Sequence, residues 1–140
     1  MERDMTKVHI TTNIEYDMKN RTFTCRHHDN LTLTHTQSRC FEALLHTESW
    51  QPLHKDELIT LLWGKCNRHF NYEPALIQKV YLLRKALSSI GLTDIIVTIP
   101  RFGYQINEKH AREIRFCREE TPRKGFISGM FDKISIMLRA

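Results

Sequence analysis

The 140-residue chain contains no apolar run of about 18 residues, the least that carries a helix across a bilayer, so nothing in it reads as a membrane span. Glycine is scarce, with 5 in all, and none are grouped into a loop that could cradle phosphates. The 4 cysteines, Cys25, Cys40, Cys66 and Cys117, include no C-x-x-C pair, which argues against a disulfide scaffold. His27-His28 and Cys66-x-x-His69 supply metal-ligating side chains, but not the two clean pairs that structural zinc takes, so no metal or cofactor is expected. No Ser-His-Asp set or paired carboxylates can be recognised, and an enzyme is not expected. The start, Met1 to Lys7, is polar and lacks the apolar core of a secretory leader. With free thiols suited to a reducing compartment, the expected location is cytoplasmic.

What is present is ordinary in amount: 41% hydrophobic and 26% charged residues, the balance of one soluble domain. The formal charge is +5, from 21 Lys and Arg against 16 Asp and Glu. That excess suits an acidic partner such as nucleic acid or anionic lipid without requiring one. Its placement is more informative. Residues 1–33 are neutral overall and 34–64 carry net −2, whereas 65–101 carry net +4 and 108–140 net +3. Two separate basic segments therefore need separate explanations.

The first third alternates. Val8 and Ile10, then Ile14, Tyr16 and Met18, then Phe23 and Cys25, then Leu31 and Leu33 stand between polar residues. Asn- and Asp-containing turns break the pattern, as in an antiparallel meander. The period then changes. Thr34-His35-Thr36-Gln37 fits a capping box, and Phe41, Leu44 and Leu45 follow at helical spacing, predicting a helix over about 35–47. Asp56 and Glu57 favour the start of a second helix with Leu58, Leu61 and Leu62 on its apolar face, ending near Trp63-Gly64. Residues 65–72 read as a polar loop. Pro74 suits the first turn of a third helix, over about 73–89, whose Leu76, Val80, Leu83 and Leu87 form one stripe. Its other side presents Ala75, Gln78, Lys79, Leu82 and Lys85. Ile95, Val97 and Ile99, the turn Pro100-Arg101-Phe102-Gly103, and Tyr104 and Ile106 make a closing hairpin over 95–107. The domain is read as 1–107. Residues 108–140 are read as a charged linker and an amphipathic helix, with Phe126, Ile127, Met130, Phe131, Ile134, Met137 and Leu138 on one face. Three roles are open to that face: packing on the domain or a second protomer, lying on an anionic membrane, or remaining unstructured.

Three helices and a hairpin, with a basic third helix and an arginine at the hairpin tip, describe an α+β winged helix-turn-helix with an N-terminal antiparallel sheet. In such a unit the third helix enters the major groove, where base edges can be told apart, and the wing reaches the backbone or minor groove. Residues 6–107 resemble the OmpR/PhoB-type winged-helix domain of bacterial regulators, in particular its ToxR- and CadC-like branch. The resemblance rests on Leu33-Thr34, on Leu61-Leu62-Trp63-Gly64, on Leu83-Arg84-Lys85-Ala86-Leu87, and on Thr98-Ile99-Pro100-Arg101-Phe102-Gly103-Tyr104, in that order and spacing.

The resemblance implies a sequence-specific DNA-binding transcription regulator that reads paired half-sites as a dimer or tandem pair on double-stranded DNA. It implies that Arg84 contacts phosphate and that Lys79 and Leu82 face bases or backbone, with Gln78 on the same arc and Lys85 beside them. Trp63 matches a tryptophan able to donate its indole N–H to phosphate, although it reads equally well as a core residue. Arg101 and Phe102 occupy the wing tip. Tyr104 follows the wing glycine and reads more readily as wing packing. The 65–72 loop matches a segment through which some relatives touch RNA polymerase. The chain departs from the pattern at Leu82, where many relatives carry arginine; that side chain could pack on a thymine methyl or on a partner. No receiver domain is expected before the module, so phosphorelay input is not expected. An alternative function is a winged-helix interaction module with weakened DNA binding, which modulates another regulator or RNA polymerase.

Overall fold

The alternation in the first third does build a sheet. A computed structural model of the protein describes residues 6–65 and 70–117. Strands β1 (Lys7–Thr11), β2 (Ile14–Asp17), β3 (Thr22–Cys25) and β4 (Leu31–Thr32) pair antiparallel in sequence order. Val8 stands opposite Tyr16, Tyr16 opposite Phe23 and Phe23 opposite Leu31, so one apolar row crosses the sheet. Helix α1 (His35–Leu45) lies on that row. The Phe41 ring meets Tyr16 edge-on at 5.4 Å and Phe23 at 5.5 Å, an arrangement aromatic quadrupoles favour. The buried Tyr16 hydroxyl donates to Glu42 at 2.7 Å, and burial with that carboxylate pushes its pKa up. The capping box forms as the sequence implies: Thr34 Oγ1 accepts from the Gln37 amide, and the Gln37 side chain accepts from the Thr34 amide. The helix ends two residues short of the expected 47, because a 3-10 turn at Glu48–Trp50 reverses the chain through left-handed Ser49 and Trp50.

After that turn comes a strand absent from the sequence reading, β5 (Leu53–His54). It pairs with β7 (Gly103–Ile106), which also pairs with β6 (Ile96–Ile99), so the wing is a three-stranded sheet rather than a two-stranded hairpin. Helix α2 (Lys55–Trp63) begins directly on β5, with the His54 ring accepting from the Asp56 amide as its cap. Gly64 closes it with φ 80°, a conformation that favours glycine. Leu58 is fully buried, but Leu61, expected on the same apolar face, is half-exposed, and its carbonyl accepts from Arg39. Helix α3 (Glu73–Ser88) buries Leu76, Val80, Leu83 and Leu87 as their spacing requires. In β6 the inward residue is Ile96 and not Val97, since the face carrying Ile96 and Thr98 turns toward α3.

The largest difference from the sequence reading lies beyond residue 107. Residues 108–117 are not a linker. Asn107 caps a short helix α4 (Glu108–Ala111), and β8 (Arg115–Cys117) adds to β1 as the fifth strand of the N-terminal sheet. Phe116 stands opposite Val8 and extends the apolar row, and its ring lies 5.2 Å from His46. The amphipathic helix read over 126–140 lies outside the described residues.

Asp94 holds this return in place. Its carboxylate bonds His110 and Lys109 at 2.8 and 2.9 Å, while its carbonyl accepts from Asn107. The His110 contact, then the Lys109 contact, draw the carboxyl pKa from 3.8 down to about 2. A depressed carboxyl stabilises the fold above its unfolded pKa, and that contribution is lost as pH falls through the folded value. Asp94→Asn is therefore expected to lower the melting temperature at neutral pH, with the gap to the parent closing between about pH 4 and pH 2. A gap as wide at pH 2 as at neutral pH would show that the side-chain charge does not fasten α4.

Candidate nucleic-acid interface

The outward side of α3 follows from the stripe that it buries. Positions opposite Leu76, Val80, Leu83 and Leu87 must face solvent at 3.6 residues per turn, and Pro74, Ile77, Gln78, Tyr81, Leu82 and Lys85 do so. Lys79 is half-buried at one flank. Ile77 is 56% exposed, Tyr81 55% and Leu82 38%, an unusual apolar content for a free helix surface. Lys85 Nζ lies 6.0 Å from the Tyr81 ring centroid.

Arg84 sits at the other flank and joins the helix to the wing. Its guanidinium donates to the Thr98 hydroxyl at 2.6 Å and to the Ile96 carbonyl at 3.2 Å, and lies 5.8 Å from the Tyr104 ring centroid. Tyr104, which reads from the sequence more readily as wing packing than as a DNA contact, is only 8% exposed, because β7 turns its ring inward beneath Arg84. It acts as the floor of the site, and burial raises its phenol pKa. Beside it Lys55 bonds Glu73 at 2.8 Å and ties the starts of α2 and α3 together.

The wing tip is a tight turn, with the Phe102 amide bonding the Ile99 carbonyl at 2.9 Å. Pro100 supplies the first corner and Arg101 the second, at φ 64°. A turn of this kind asks for glycine or asparagine at the second corner, so an arginine there is strained as well as exposed. Phe102 is exposed at the tip and leans edge-on against the His54 ring at 4.9 Å. Between tip and helix runs a groove of about 420 Å³, walled by Ile77, Tyr81, Arg84, Arg101 and Phe102 over Tyr104. Gly103 makes the arrangement possible: a Cβ there would fall 1.9 Å from the Leu53 carbonyl oxygen.

Trp63 is further off, half-buried against the core and stacked on Tyr72 at 5.2 Å, with Phe70 edge-on to Tyr72 at 4.4 Å. Residues 66–69 of the adjoining loop lie outside the described residues. The structure thus brings Gln78, Lys85, Arg84, Arg101 and Phe102 to one surface, with Lys79 and Leu82 at its edge, Tyr104 beneath it and Trp63 apart. Ile77, Tyr81 and Thr98 line the same groove, and the sequence reading names none of them as a site residue. The signal for the first two was available, since each follows a buried stripe residue by one position, about 100° around the helix.

Residues 28–106 match the family of transcriptional regulatory protein C-terminal domains. The chain belongs to this family, the OmpR/PhoB-type DNA-binding domains. The DNA-binding domain of Escherichia coli CadC is 22% identical, with a TM-score of 0.57, over 76% of this chain and 94% of that one. The AdeR DNA-binding domain, solved in complex with an intercistronic region, is 22% identical with a TM-score of 0.54, over 69% and 95%. The Klebsiella pneumoniae RstA domain, solved with its RstA box, is 20% identical with a TM-score of 0.52, over 69% and 92%. No curated protein sequence matches the chain. This family is one of DNA-binding regulator domains rather than an enzyme class. No helix among the described residues is long and apolar enough to cross a membrane.

Two substitutions separate the scaffold from the reading surface. Gly103→Ala is expected to cost about 1–3 kcal/mol, the range for overpacking, because its Cβ meets backbone that cannot swing aside. Arg101→Gly relieves a left-handed residue worth about 1–2 kcal/mol, less the added freedom of the unfolded glycine, about 0.4–1 kcal/mol. It is expected to leave stability equal or up to about 1.6 kcal/mol higher while weakening DNA binding. Urea midpoints and duplex titrations check both. Undiminished DNA affinity in Arg101→Gly would remove the wing tip from the interface.

Proposed function

We propose that this regulator lays α3 in the major groove and sets the wing, with Arg101 at its tip, on the adjoining backbone or minor groove. The observation that carries this reading is the single surface formed by the exposed side of α3 and the wing tip, held at a fixed angle by Arg84. Lys79, Lys85 and Arg101 supply its phosphate contacts, and Gln78 supplies a base-reading amide. Proteins of the same fold solved with an intercistronic region and with the RstA box are consistent with it. The interaction-module alternative is not favoured by family membership.

Several further features belong to this reading. The protein works on paired half-sites as a homodimer or tandem pair, as its family resemblance suggests. Loop 65–72 is the surface for RNA polymerase, supported by the exposed Phe70 ring beside Tyr72. Trp63, stacked there, is available to a phosphate through its indole N–H. The compartment is the cytoplasm, consistent with free Cys25, Cys40 and Cys117 and a DNA ligand.

Anisotropy titrations of the full chain against promoter and random duplexes test this reading across a salt series. Affinity is expected to fall steeply with salt, with a slope near 0.9 per phosphate contact. Lys85→Ala and Arg101→Ala are each expected to reduce that slope by about one and to weaken all sequences alike. Gln78→Ala is expected to change sequence preference instead. Absence of binding at low salt to every duplex overturns the reading.

A further inference from the structure

The exposed side of α3 has few hydrogen-bonding groups and three apolar ones. Its one arginine, Arg84, already gives two bonds to the wing strand at 2.6 and 3.2 Å. Both bonds leave from Nη2 and turn the guanidinium toward the wing at the flank of the helix, away from the outward arc where an arginine would grip the O6 and N7 of guanine, the commonest specific contact in the major groove. Lys85 is drawn toward the Tyr81 ring, and Lys79 stands half-buried at the flank. What projects from the first three turns, the part of a recognition helix that meets base edges, is Pro74, Ile77, Gln78 and Tyr81, with Leu82 one turn after Gln78.

These positions bracket one polar reader between apolar ones. Ile77 and Tyr81 stand a turn apart on the wing side, and Gln78 and Leu82 a turn apart on the other. In the major groove the apolar feature of a base pair is the thymine 5-methyl group, and the pattern that suits a glutamine amide is the N6 and N7 of adenine. Cations at both margins, Lys79 on one side and Arg101 on the other, match the phosphates that flank such a groove. Exposed Ile77 and Leu82 are disfavoured in water alone, and burying one methyl against another recovers part of that cost.

Resting on the DNA-binding reading above, we propose that Ile77 and Leu82 read thymine methyl groups on either side of an adenine bonded by Gln78, with the Tyr81 ring covering the first thymine. The preferred half-site is accordingly A·T-rich beneath the first three turns of α3.

The test begins with selection of duplexes from a random library by the full chain at low salt. Each thymine of the selected site is then replaced singly by deoxyuridine, which removes only the methyl. At the positions under Ile77 and Leu82 each replacement is expected to weaken binding about fourfold, the worth of one buried methyl. Ile77→Ala is expected to abolish the sensitivity at one position and preserve it at the other, and Leu82→Ala the converse. Both side chains are exposed, so the variants should keep the parent circular dichroism. That spectrum is recorded alongside, and a variant that loses it is replaced by Ile77→Ser or Leu82→Gln. A selected site indifferent to every deoxyuridine, or rich in G·C at the contacted positions, overturns this proposal and leaves DNA binding intact. A library from which no duplex is enriched overturns the DNA-binding reading and this proposal with it.

Discussion

The bond from the Arg84 guanidinium to Thr98 and the Ile96 carbonyl sets the angle between the reading helix and the wing. Everything else on the interface is positioned relative to those two elements. The Tyr104 ring beneath the cation keeps water from one side of it and gives the guanidinium a surface to rest on. Lys55 and Glu73 close the same seam lower down. A rigid seam has a cost in function: a guanidinium fixed on the wing has fewer N–H groups left for DNA. The helix surface must then find its specificity elsewhere.

The wing itself depends on backbone approaching backbone. Because Gly103 has no Cβ, Leu53 can sit against β7, and β5 then delivers the chain into α2 at a fixed point. The second helix, the wing and the floor of the groove thus share one contact. Past the wing, β8 closes onto β1, and Asp94, two residues before β6, fastens the α4 turn that leads to it.

The parts legible in the sequence are those with a long period or a local chemical signal. Helix α3 is given by four apolar residues at spacings of four, three and four, α1 by its capping box, and the wing turn by Pro100 and Gly103. Strand β5 is not legible, since two residues carry no period and their strand state is imposed by β7. Helix α4 and β8 are hidden in a charged stretch because their order comes from Asp94, far away in sequence, and from the edge of a sheet already formed. At the candidate site, Gln78, Arg84, Lys85, Arg101 and Phe102 follow from charge and position. The role of Arg84 does not, because a cation on a helix face looks alike whether it points to solvent or to a neighbouring strand. Leu61 fails for a related reason: one turn of leucines at 58, 61 and 62 is too short to say which of them the core will take.

The modest charge of the chain acquires a meaning from this geometry. Non-specific affinity for DNA grows with the number of phosphates neutralised. Here the α3 surface carries Leu82 uncharged and exposed, Arg84 is tied to the wing and Lys55 to Glu73. On α3 and the wing the cations left for phosphate are Lys79, Lys85 and Arg101. A regulator searching a genome is limited by the ratio of specific to non-specific binding, not by affinity alone. Removing cations lowers both, whereas contacts to base edges raise only the first. An α3 surface poor in free charge and rich in apolar side chains moves the balance toward the sequence-dependent part. The strained arginine at the wing tip fits the same logic. A single cation held by a costly backbone conformation contributes at one defined place on the duplex.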